Sequence, residues 1–278
     1  MENKQSILGS FAHPDDEIFG TGGTFARYAE QGVDVYLVCA TRGEVGEISE
    51  PHLATPETIA QVREAELTCA AQTLGAHAPI FLGYRDSGMK GTPENDDPRA
   101  FINAPAAEVV AKLVTVMRRV RPTAVVTFDP KGGYGHPDHI AIHDHTVAAF
   151  RLAGDTAYRP DLGAPWQPAR LFYRAMSRCQ FNTMRDAVDA AGLESKFYTY
   201  LEENGMIWED DAISLTVDVA DMTARKLAAI RCHATQFGPD HNWRRATPEL
   251  AQQVMGQEHF VLAATHGDNR GQLNGLIE

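Results

Sequence analysis

The stretch Ser6-Ile-Leu-Gly-Ser-Phe-Ala-His-Pro-Asp-Asp-Glu-Ile18 joins a short apolar run to a cluster of one imidazole and three carboxylates. The apolar run predicts a first buried strand. Pro14 removes a backbone donor and fixes φ, so the chain must turn there instead of continuing the strand. The cluster of His13, Asp15, Asp16 and Glu17 is therefore predicted between a strand and the helix that follows it.

This cluster allows two interpretations. It could be a solvated turn in which Asp15 or Asp16 caps a helix, since acidic residues are common at helix starts. It could also bind a metal, because zinc and similar ions accept mixed imidazole and carboxylate ligands. A second cluster, Gly135-His-Pro-Asp-His139, repeats the same chemistry far along the chain, again behind an apolar run. The pairing of the two clusters favours the metal site.

Apolar runs alternate with helical periodicity through the first half of the chain. Residues 33–40 are nearly continuously apolar, which is typical of a strand buried on both faces of a parallel sheet. Residues 106–120 carry apolar side chains at helical spacing. This alternation predicts an α/β, Rossmann-like fold with a mostly parallel sheet and helices on both faces. Beyond Gly154 the pattern weakens, so we expect one domain over residues 1–278 with an elaborated C-terminal third.

The polar clusters of this half all follow predicted strands. They are residues 13–17, 41–47, 84–87 and 129–139. In an open α/β sheet, ligands bind beyond the carboxyl ends of the strands, near the point where the strand order reverses. We therefore expect these clusters to form one site.

The charge of the chain limits its partners. The formal net charge is -12, which argues against nucleic acid or an anionic membrane as partner, because either needs a concentrated basic surface. No segment approaches the roughly 18 consecutive apolar residues of a membrane span. The opening Met1-Glu-Asn-Lys-Gln5 does not resemble a signal peptide. We expect a cytoplasmic protein with a small-molecule substrate, and the sequence leaves open whether it forms a homo-oligomer.

The cysteines are scattered and contain no Cys-x-x-Cys pair. They are Cys39, Cys69, Cys179 and Cys232. In a reducing cytoplasm, this pattern predicts buried or idle thiols and neither a disulfide framework nor a cysteine-type zinc finger.

We predict a single divalent ion held by His13, Asp16 and His139, with water in the open position. Zn²⁺ is the expected ion, with Fe²⁺ or another divalent ion as the alternative in the cell. Such an ion lowers the pKa of bound water toward about 7 and polarises a carbonyl oxygen, which suits the hydrolysis of an amide. Asp15 is then available as the general base, provided that it comes within hydrogen-bond distance of the water.

Three further residues are predicted to act beside the metal. His136 is suited to stabilise an oxyanion or to protonate the leaving amine, and Asp138 to hold the His136 ring in one tautomer. The alternatives for His136 are a second metal ligand or a helix cap. Tyr134 could contribute its hydroxyl group to the oxyanion, or could simply pack on the edge of the sheet.

Two competing motifs are weaker. His139 and His143 have the spacing of a zincin pair, but Ile140 stands where the His-Glu-x-x-His motif has its catalytic glutamate. Gly20-Thr-Gly-Gly-Thr24 suggests a dinucleotide site, but it lacks the third glycine at the right spacing. We expect these glycines to let a helix pack closely on the sheet instead.

The sequence resembles the LmbE-like (PIG-L) family of zinc-dependent N-deacetylases. The matching motifs cover most of the chain: His13-Pro-Asp-Asp-Glu17, Gly22-Gly-Thr24, Thr41-x-Gly-Glu44, Arg63-x-x-Glu66, Tyr84-Arg-Asp-Ser-Gly88, His136-Pro-Asp-His139 and Cys232-His-Ala-Thr-Gln236. The resemblance implies a Rossmann-like fold and removal of an acetyl group from an N-acetylglucosamine-type substrate. By motif position it also implies the same zinc ligands, the same base, and His136 oriented by Asp138 with Tyr134 beside it.

Within this family the chain is most similar to the mycothiol and bacillithiol branch, whose substrates are glucosaminyl inositol or glucosaminyl malate compounds. That similarity implies that Arg63 and Asp86 contact the sugar and its polar appendage, and Glu47, in the loop after residue 40, is expected to join them. Otherwise Arg63 would form a helix-surface ion pair with Glu66 or Glu57, which is usually weak, and Asp86 would cap a loop. His233 and Gln236 could face the same cleft or lie on the surface.

Three other functions remain open at this stage. One is an amidase of thiol S-conjugates on the same scaffold. Another is a metallophosphoesterase, which would need ligands for a second ion roughly 3.5–4 Å from the first. The third is a module that senses a sugar or a metal without catalysis, in which case Asp15 would be superfluous.

Overall fold

Residues Ser6–Phe11 form β1, an inner strand of the sheet that is buried at each of its six positions. The computed structural model describes residues 4–190, 196–267 and 273–278. Within these ranges one sheet contains the strands β1 Ser6–Phe11, β2 Asp34–Cys39, β3 Ile80–Phe81, β4 Ala124–Thr127, β5 Arg170–Ala175, β6 Leu215–Asp218 and β7 Gln257–Thr265.

The helices follow the strands in regular alternation up to β5. They are α1 Gly22–Glu30, α2 Ile59–Leu74, α3 Ala106–Val120, α4 Gly132–Gly135, α5 Pro137–Leu152, α6 Arg178–Ala190, α7 Lys196–Glu203, α8 Thr223–Cys232, α9 Asn242–Arg245 and α10 Pro248–Met255. None of the described helices is both long and apolar enough to span a membrane.

The strand order is β3-β2-β1-β4-β5-β7-β6. The first five strands in this order are parallel, β7 is antiparallel to β5, and β6 is antiparallel to β7. The chain leaves β1 for β2 on one side and returns to place β4 on the other, so the strand order reverses between β1 and β4. Right-handed crossovers then place α1 and α2 on one face and α3 and α5 on the other. The predicted Rossmann-like fold is confirmed.

The C-terminal third departs most from the sequence-based expectation. Strand β7 was not predicted, although it is the longest strand and joins β5 to β6. Its sequence has a short apolar run between polar ends, and such a run does not distinguish a strand from a buried helix. Pairing with β5 and β6 gives it a strand conformation.

The glycines of α1 pack closely, as expected, and the dinucleotide alternative fails for a specific reason. A Cβ atom at Gly23 would lie 2.6 Å from Val219 Cβ, so only glycine fits there. The amides of Gly23 and Thr24 donate to the Glu258 carboxylate at 2.9 and 2.7 Å. A protein carboxylate therefore takes the place at the helix N-terminus that a pyrophosphate would need.

The expectation that all four cysteines are free thiols is wrong for two of them. Cys69 in α2 and Cys232 at the end of α8 form a disulfide across 163 positions of sequence, while Cys39 and Cys179 are free. Spacing along the chain could not identify this pair, because it is the packing of α2 against α8 that brings the two side chains together.

We predict that Glu258→Gln destabilises the fold. Glu258 Oε1 lies 2.6 Å from Lys226 Nζ, and both side chains are buried. Removal of one partner leaves an uncompensated buried charge, so the free energy of unfolding should fall by about 3–5 kcal/mol in a urea titration. As a control, Asp161→Asn breaks an ion pair whose side chains are 54% and 59% exposed and should leave the midpoint unchanged. Equal midpoints for the two variants would contradict the argument.

Candidate active site

The turn after β1 and the start of α5 meet at the carboxyl edge of the sheet. β1 and β4 are parallel neighbours, so the segments that follow them leave the sheet side by side. His13 Nδ1 lies 3.1 Å from His139 Nε2, and both rings are buried. The two distant histidine motifs therefore share one site.

Asp16 joins the two imidazoles. Its Oδ1 lies 3.2 Å from His139 Nε2, and its Oδ2 lies 3.6 Å from His13 Nδ1. Oδ2 also accepts the backbone amides of Ala12 and His13 at 3.2 and 2.7 Å. Burial alone would raise the pKa of Asp16, but its interactions with His139 and His13 lower that pKa well below the usual range. The amides hold the carboxylate so that Oδ1 stays directed at the rings.

The outer partners of the two imidazoles determine which ring nitrogens carry protons. His139 Nδ1 lies 3.0 Å from the Gly132 carbonyl oxygen, so this nitrogen is the donor. His13 Nε2 lies 3.1 Å from the Asp138 carboxylate, so it is the donor of that ring. In neutral rings the inward nitrogens then carry lone pairs. Burial lowers the pKa of His13, but Asp86 and Asp138 outweigh it and raise that pKa well above the usual value, so a cation would displace a proton from this ring on binding. In the deprotonated state the two lone pairs and an oxygen of Asp16 converge, and this donor set fits a zinc-type cation.

His136 lies at the N-cap of α5, where its Nδ1 accepts the Asp138 amide at 3.1 Å. This leaves Nε2 as the donor of the ring. Burial, together with the imidazoles of His13 and His139, lowers the pKa of His136 to about 3, so the ring is neutral. His136 thus presents an N–H group that can donate to an oxyanion.

Asp138 contacts the His136 ring through its backbone amide, whereas its carboxylate is directed to His13 and Ser87. Besides facing His13, that carboxylate accepts the Ser87 amide at 2.9 Å and the Ser87 hydroxyl group. Asp138 therefore holds the ring of the predicted metal ligand His13. Sequence spacing favoured His136 because it is near in the chain, whereas the fold brings the loop after β3 and the turn after β1 to the carboxylate.

Asp15 has an unusual backbone and a shifted pKa. Its φ is 103°, a region that residues with side chains rarely adopt. Its amide donates to Glu17 Oε2 at 2.9 Å, and its Oδ2 accepts from Arg63 Nη2 at 3.1 Å. Burial raises the pKa of Asp15 to about 6, although Arg63 acts in the opposite direction. The carboxylate is thus held at the edge of the site.

Arg63 is committed to contacts within the protein. Its guanidinium donates to the carbonyl oxygens of Pro14 and Gly43 at 2.6 and 3.1 Å as well as to Asp15. The side chain is buried, so it does not form the helix-surface ion pair considered from the sequence. A Cβ atom at Gly43 would lie 2.0 Å from Arg63 Nη1, so this loop needs glycine for the contact.

Glu17 and His233 form a support that sequence reasoning did not identify. Glu17 Oε1 lies 2.7 Å from His233 Nε2, and both residues are almost completely buried. Burial opposes protonation of His233, but Glu17 outweighs it and raises the pKa of the imidazole. Because the other Glu17 oxygen accepts the Asp15 amide, His233 positions Asp15 through Glu17. The signal in the sequence is the motif Cys232-His-Ala-Thr-Gln236, which predicts a place for His233 either in the cleft or on the surface.

The remaining predicted residues take different positions. Asp86 Oδ1 lies 3.4 Å from His13 Nε2, so its carboxylate faces a ring of the site. The Tyr134 ring centre lies 4.9 Å from that of His139, at the wall of the cavity described below. Glu47 is exposed, and its carbonyl oxygen accepts from Gln236 at 2.7 Å.

A cavity of about 360 Å³ opens beside Asp15 and Asp16. Its polar lining includes Tyr134, Arg174, Asp129 and Lys226 as well as the two carboxylates. Much of its wall is apolar and includes Phe19, Met176, Met184, Phe197, Leu201, Met206, Phe237 and Trp243. The cavity is larger than an acetyl group requires and has the size of small-molecule sites in general.

The first half of the chain matches a family model. The model described as "GlcNAc-PI de-N-acetylase" (PIG-L) matches residues 8–150, which include both histidine motifs.

Similar proteins match over nearly the whole chain. A protein of Geodermatophilus obscurus named 1D-myo-inositol 2-acetamido-2-deoxy-alpha-D-glucopyranoside deacetylase is 40% identical over 94% of this chain and 93% of its own. A Rhodococcus jostii protein of the same name is 38% identical over 99% of this chain and 98% of its own. The structure of N,N'-diacetylchitobiose deacetylase from Pyrococcus horikoshii has a TM-score of 0.65 and 22% identity, covering 94% of this chain and 84% of that one. At this identity the last comparison supports the fold alone.

We predict that His233→Ala lowers turnover without loss of metal. Without the imidazole, Glu17 is buried without its partner, and the backbone of Asp15 loses its fixed position. Because small misplacements of a reacting group are costly, kcat should fall by about 10- to 100-fold with little change in KM or metal content.

The matched control is His52→Ala, which removes an exposed imidazole and should leave kcat unchanged. A His233→Ala enzyme with full kcat would refute the positioning role. Loss of metal in this variant would show that His233 supports the proposed metal ligands instead of Asp15.

Proposed function

Because the chain belongs to the PIG-L family of de-N-acetylases, we propose that it removes the acetyl group from the N-acetylglucosamine unit of a 1D-myo-inositol glycoside. The enzyme is an N-deacetylase, a hydrolase of the amide bond. The observation that carries this proposal is the convergence of the inward ring nitrogens of His13 and His139 with an Asp16 oxygen, beside the carboxylate of Asp15. The inositol aglycone is chosen from the names of the similar deacetylases.

We propose that His13, Asp16 and His139 hold a divalent ion, and that this ion is zinc. When bound, such an ion polarises a carbonyl oxygen and lowers the pKa of water. The choice of zinc rests on two imidazole nitrogens and one carboxylate oxygen, with iron as the alternative.

The side chains around this position supply the proton transfers. Asp15 accepts a proton from the attacking water and returns it to the amine as the C–N bond breaks. His136 is neutral and donates from Nε2 to the oxygen that becomes negative in the tetrahedral intermediate. Tyr134 lies beside this ring and is proposed to assist at the same oxygen. The balance is one amide and one water converted to acetate and a protonated amine at neutral pH.

The predicted contacts of Arg63, Asp86 and Glu47 with the substrate remain proposals, and the structure supports them to different degrees. We propose that Arg63 and Asp86 contact the sugar from the floor of the site, where both are buried beside Asp15 and His13. Glu47 is exposed and free to approach a polar aglycone.

The apolar wall of the cavity favours a second candidate activity. An acyl group larger than acetyl, such as that of a thiol S-conjugate, would bury apolar surface against Phe19, Met176 and Phe197. Amidase activity on S-conjugates is therefore proposed beside deacetylation. Family membership gives no support to the metallophosphoesterase alternative.

The amino-sugar substrate is the proposed small-molecule partner. A cytoplasmic location, the lack of a nucleic-acid partner and a single domain over residues 1–278 stay predictions from the sequence, and homo-oligomer formation stays open.

We predict that Asp15→Asn nearly abolishes turnover and leaves metal content intact. Asparagine tolerates a positive φ and keeps the shape of the side chain, but it cannot accept the proton. The value of kcat should fall about 100- to 10,000-fold in an assay of released acetate.

The matched variant is His139→Ala, which should lose the metal as well as the activity. Full activity of Asp15→Asn would refute the base assignment, and unchanged metal in His139→Ala would refute the ligand assignment.

We also predict the order of substrates. With free amine as the readout, kcat/KM should be higher for the inositol glycoside of N-acetylglucosamine than for N-acetylglucosamine alone. A bulky thiol S-conjugate should be hydrolysed measurably if the apolar wall binds acyl groups. If the zinc-loaded protein releases amine from none of these compounds, the proposed function is refuted.

A further inference from the structure

Arg174 is a cation in the cavity wall that forms no ion pair with any carboxylate among the described residues. It lies near the end of β5 and lines the cavity together with Asp16 and Tyr134. Among the described residues, its guanidinium makes one hydrogen bond, from Nη1 to the Phe19 carbonyl oxygen at 3.3 Å. Its Nε has no hydrogen-bond partner there. The two terminal nitrogens, which form the guanidinium fork, therefore carry N–H groups that have no acceptor among the described residues.

The surroundings hold this guanidinium in one place. Its central carbon lies 4.6 Å from the centre of the Phe128 ring, in cation–π contact. On the cavity side, a Cβ atom at Gly133 would lie 2.8 Å from Nη2, and one at Gly20 would lie 3.6 Å from Nη1. Gly133, which has a positive φ, therefore leaves space that the guanidinium occupies, whereas the Gly20 distance is an ordinary van der Waals contact.

The nearby carboxylates are already engaged. Asp129 accepts the Trp208 indole N–H at 2.8 Å and the amides of Lys131 and Gly133 at 3.0 Å each. Asp16 accepts two backbone amides and belongs to the proposed metal site. Burial lowers the pKa of Arg174, although Asp16 and Asp129 act against that shift. A desolvated guanidinium in this position is a strong site for a bidentate anion.

We propose that Arg174 binds a carboxylate group inside the cavity. The inference rests on the proposed deacetylation for one of its two sources, since that reaction releases acetate beside Asp15. The other source is a carboxylate at the far end of a longer N-acyl chain, because the cavity extends beyond the space of an acetyl group. In both cases the ligand is a carboxylate that accepts from the guanidinium fork.

The alternative for Arg174 is a purely structural role. Phe128 stacks on the ring of His139 at a centroid distance of 3.9 Å, so Arg174 also packs behind a predicted metal ligand. A structural role alone would alter stability or metal content and would leave carboxylate binding unchanged. A direct binding measurement on metal-free protein separates the two roles.

The experiment is a titration of metal-free protein with ¹³C-labelled acetate, followed by NMR. Arg174→Met removes the charge and keeps much of the apolar stem, so acetate affinity should fall by about tenfold or more. Binding of neutral acetamide should change little.

Two variants complete this titration. Arg174→Lys keeps a charge and loses the guanidinium fork, so it should bind acetate more weakly than the wild type. This variant is the test of the proposal if Arg174→Met does not fold. Arg121→Met removes an exposed cation that lies over the Trp166 ring and should match the wild type. Equal acetate affinity in the wild type and both Arg174 variants would overturn the proposal.

A second arm distinguishes the sources of the carboxylate. If the product is the ligand, acetate should inhibit the zinc-loaded wild type more strongly than Arg174→Met. If a chain end is the ligand, the wild type should hydrolyse an N-succinyl glucosaminyl substrate faster than its neutral N-pentanoyl analogue, and Arg174→Met should lose this preference. If the protein deacetylates normally and shows neither effect, the proposed carboxylate site is refuted.

Failure of the proposed function has a different signature. A protein that shows Arg174-dependent acetate binding but releases no amine from any glycoside keeps the carboxylate site and loses the deacetylase assignment.

Discussion

Parallel pairing of β1 with β4 is the constraint on which the site depends. The register from Ile7 opposite Ala124 to Gly9 opposite Val126 aligns the carboxyl ends of two strands that are far apart in the chain. The turn with His13 and the helix start with His139 then leave the sheet next to each other. The burial of these strands offsets the entropy lost in fixing both loops. The proposed metal ligands are therefore preorganised by the fold before any ion binds.

A second layer of buried polar contacts holds this arrangement. Asp138 holds the outer face of His13, and Arg63 ties the turn of Asp15 to the loop after β2. Glu17 connects the amide of Asp15 to His233, which follows directly on α8. The disulfide joins α2, which carries Arg63, to the end of α8, next to His233. The strained backbone of Asp15, the proposed base, is thus supported from two helices that a covalent bond links.

Much of the fold was predictable because local patterns and burial agree in the first half of the chain. The strands before β5 are apolar runs and the helices between them have clear stop signals, such as Gly75 in a left-handed conformation at the end of α2. In the last third this agreement fails. Strand β7 and the carboxylate of Glu258 acquire their roles from antiparallel pairing and from the N-terminus of α1, neither of which a local window contains.

By itself the sequence determined the chemical types in the site: two separated histidine motifs, each with adjacent carboxylates, and a chain turn imposed by proline after each first histidine. These are local properties, so residue order is enough to define them. Only the tertiary structure decided which side chains meet. It directed Asp138 to His13, placed His233 behind Asp15, paired Cys69 with Cys232 and left Arg174 in the cavity without an acidic partner among the described residues. The reason is that contacts between distant segments depend on strand order and helix packing, which spacing along the chain does not encode.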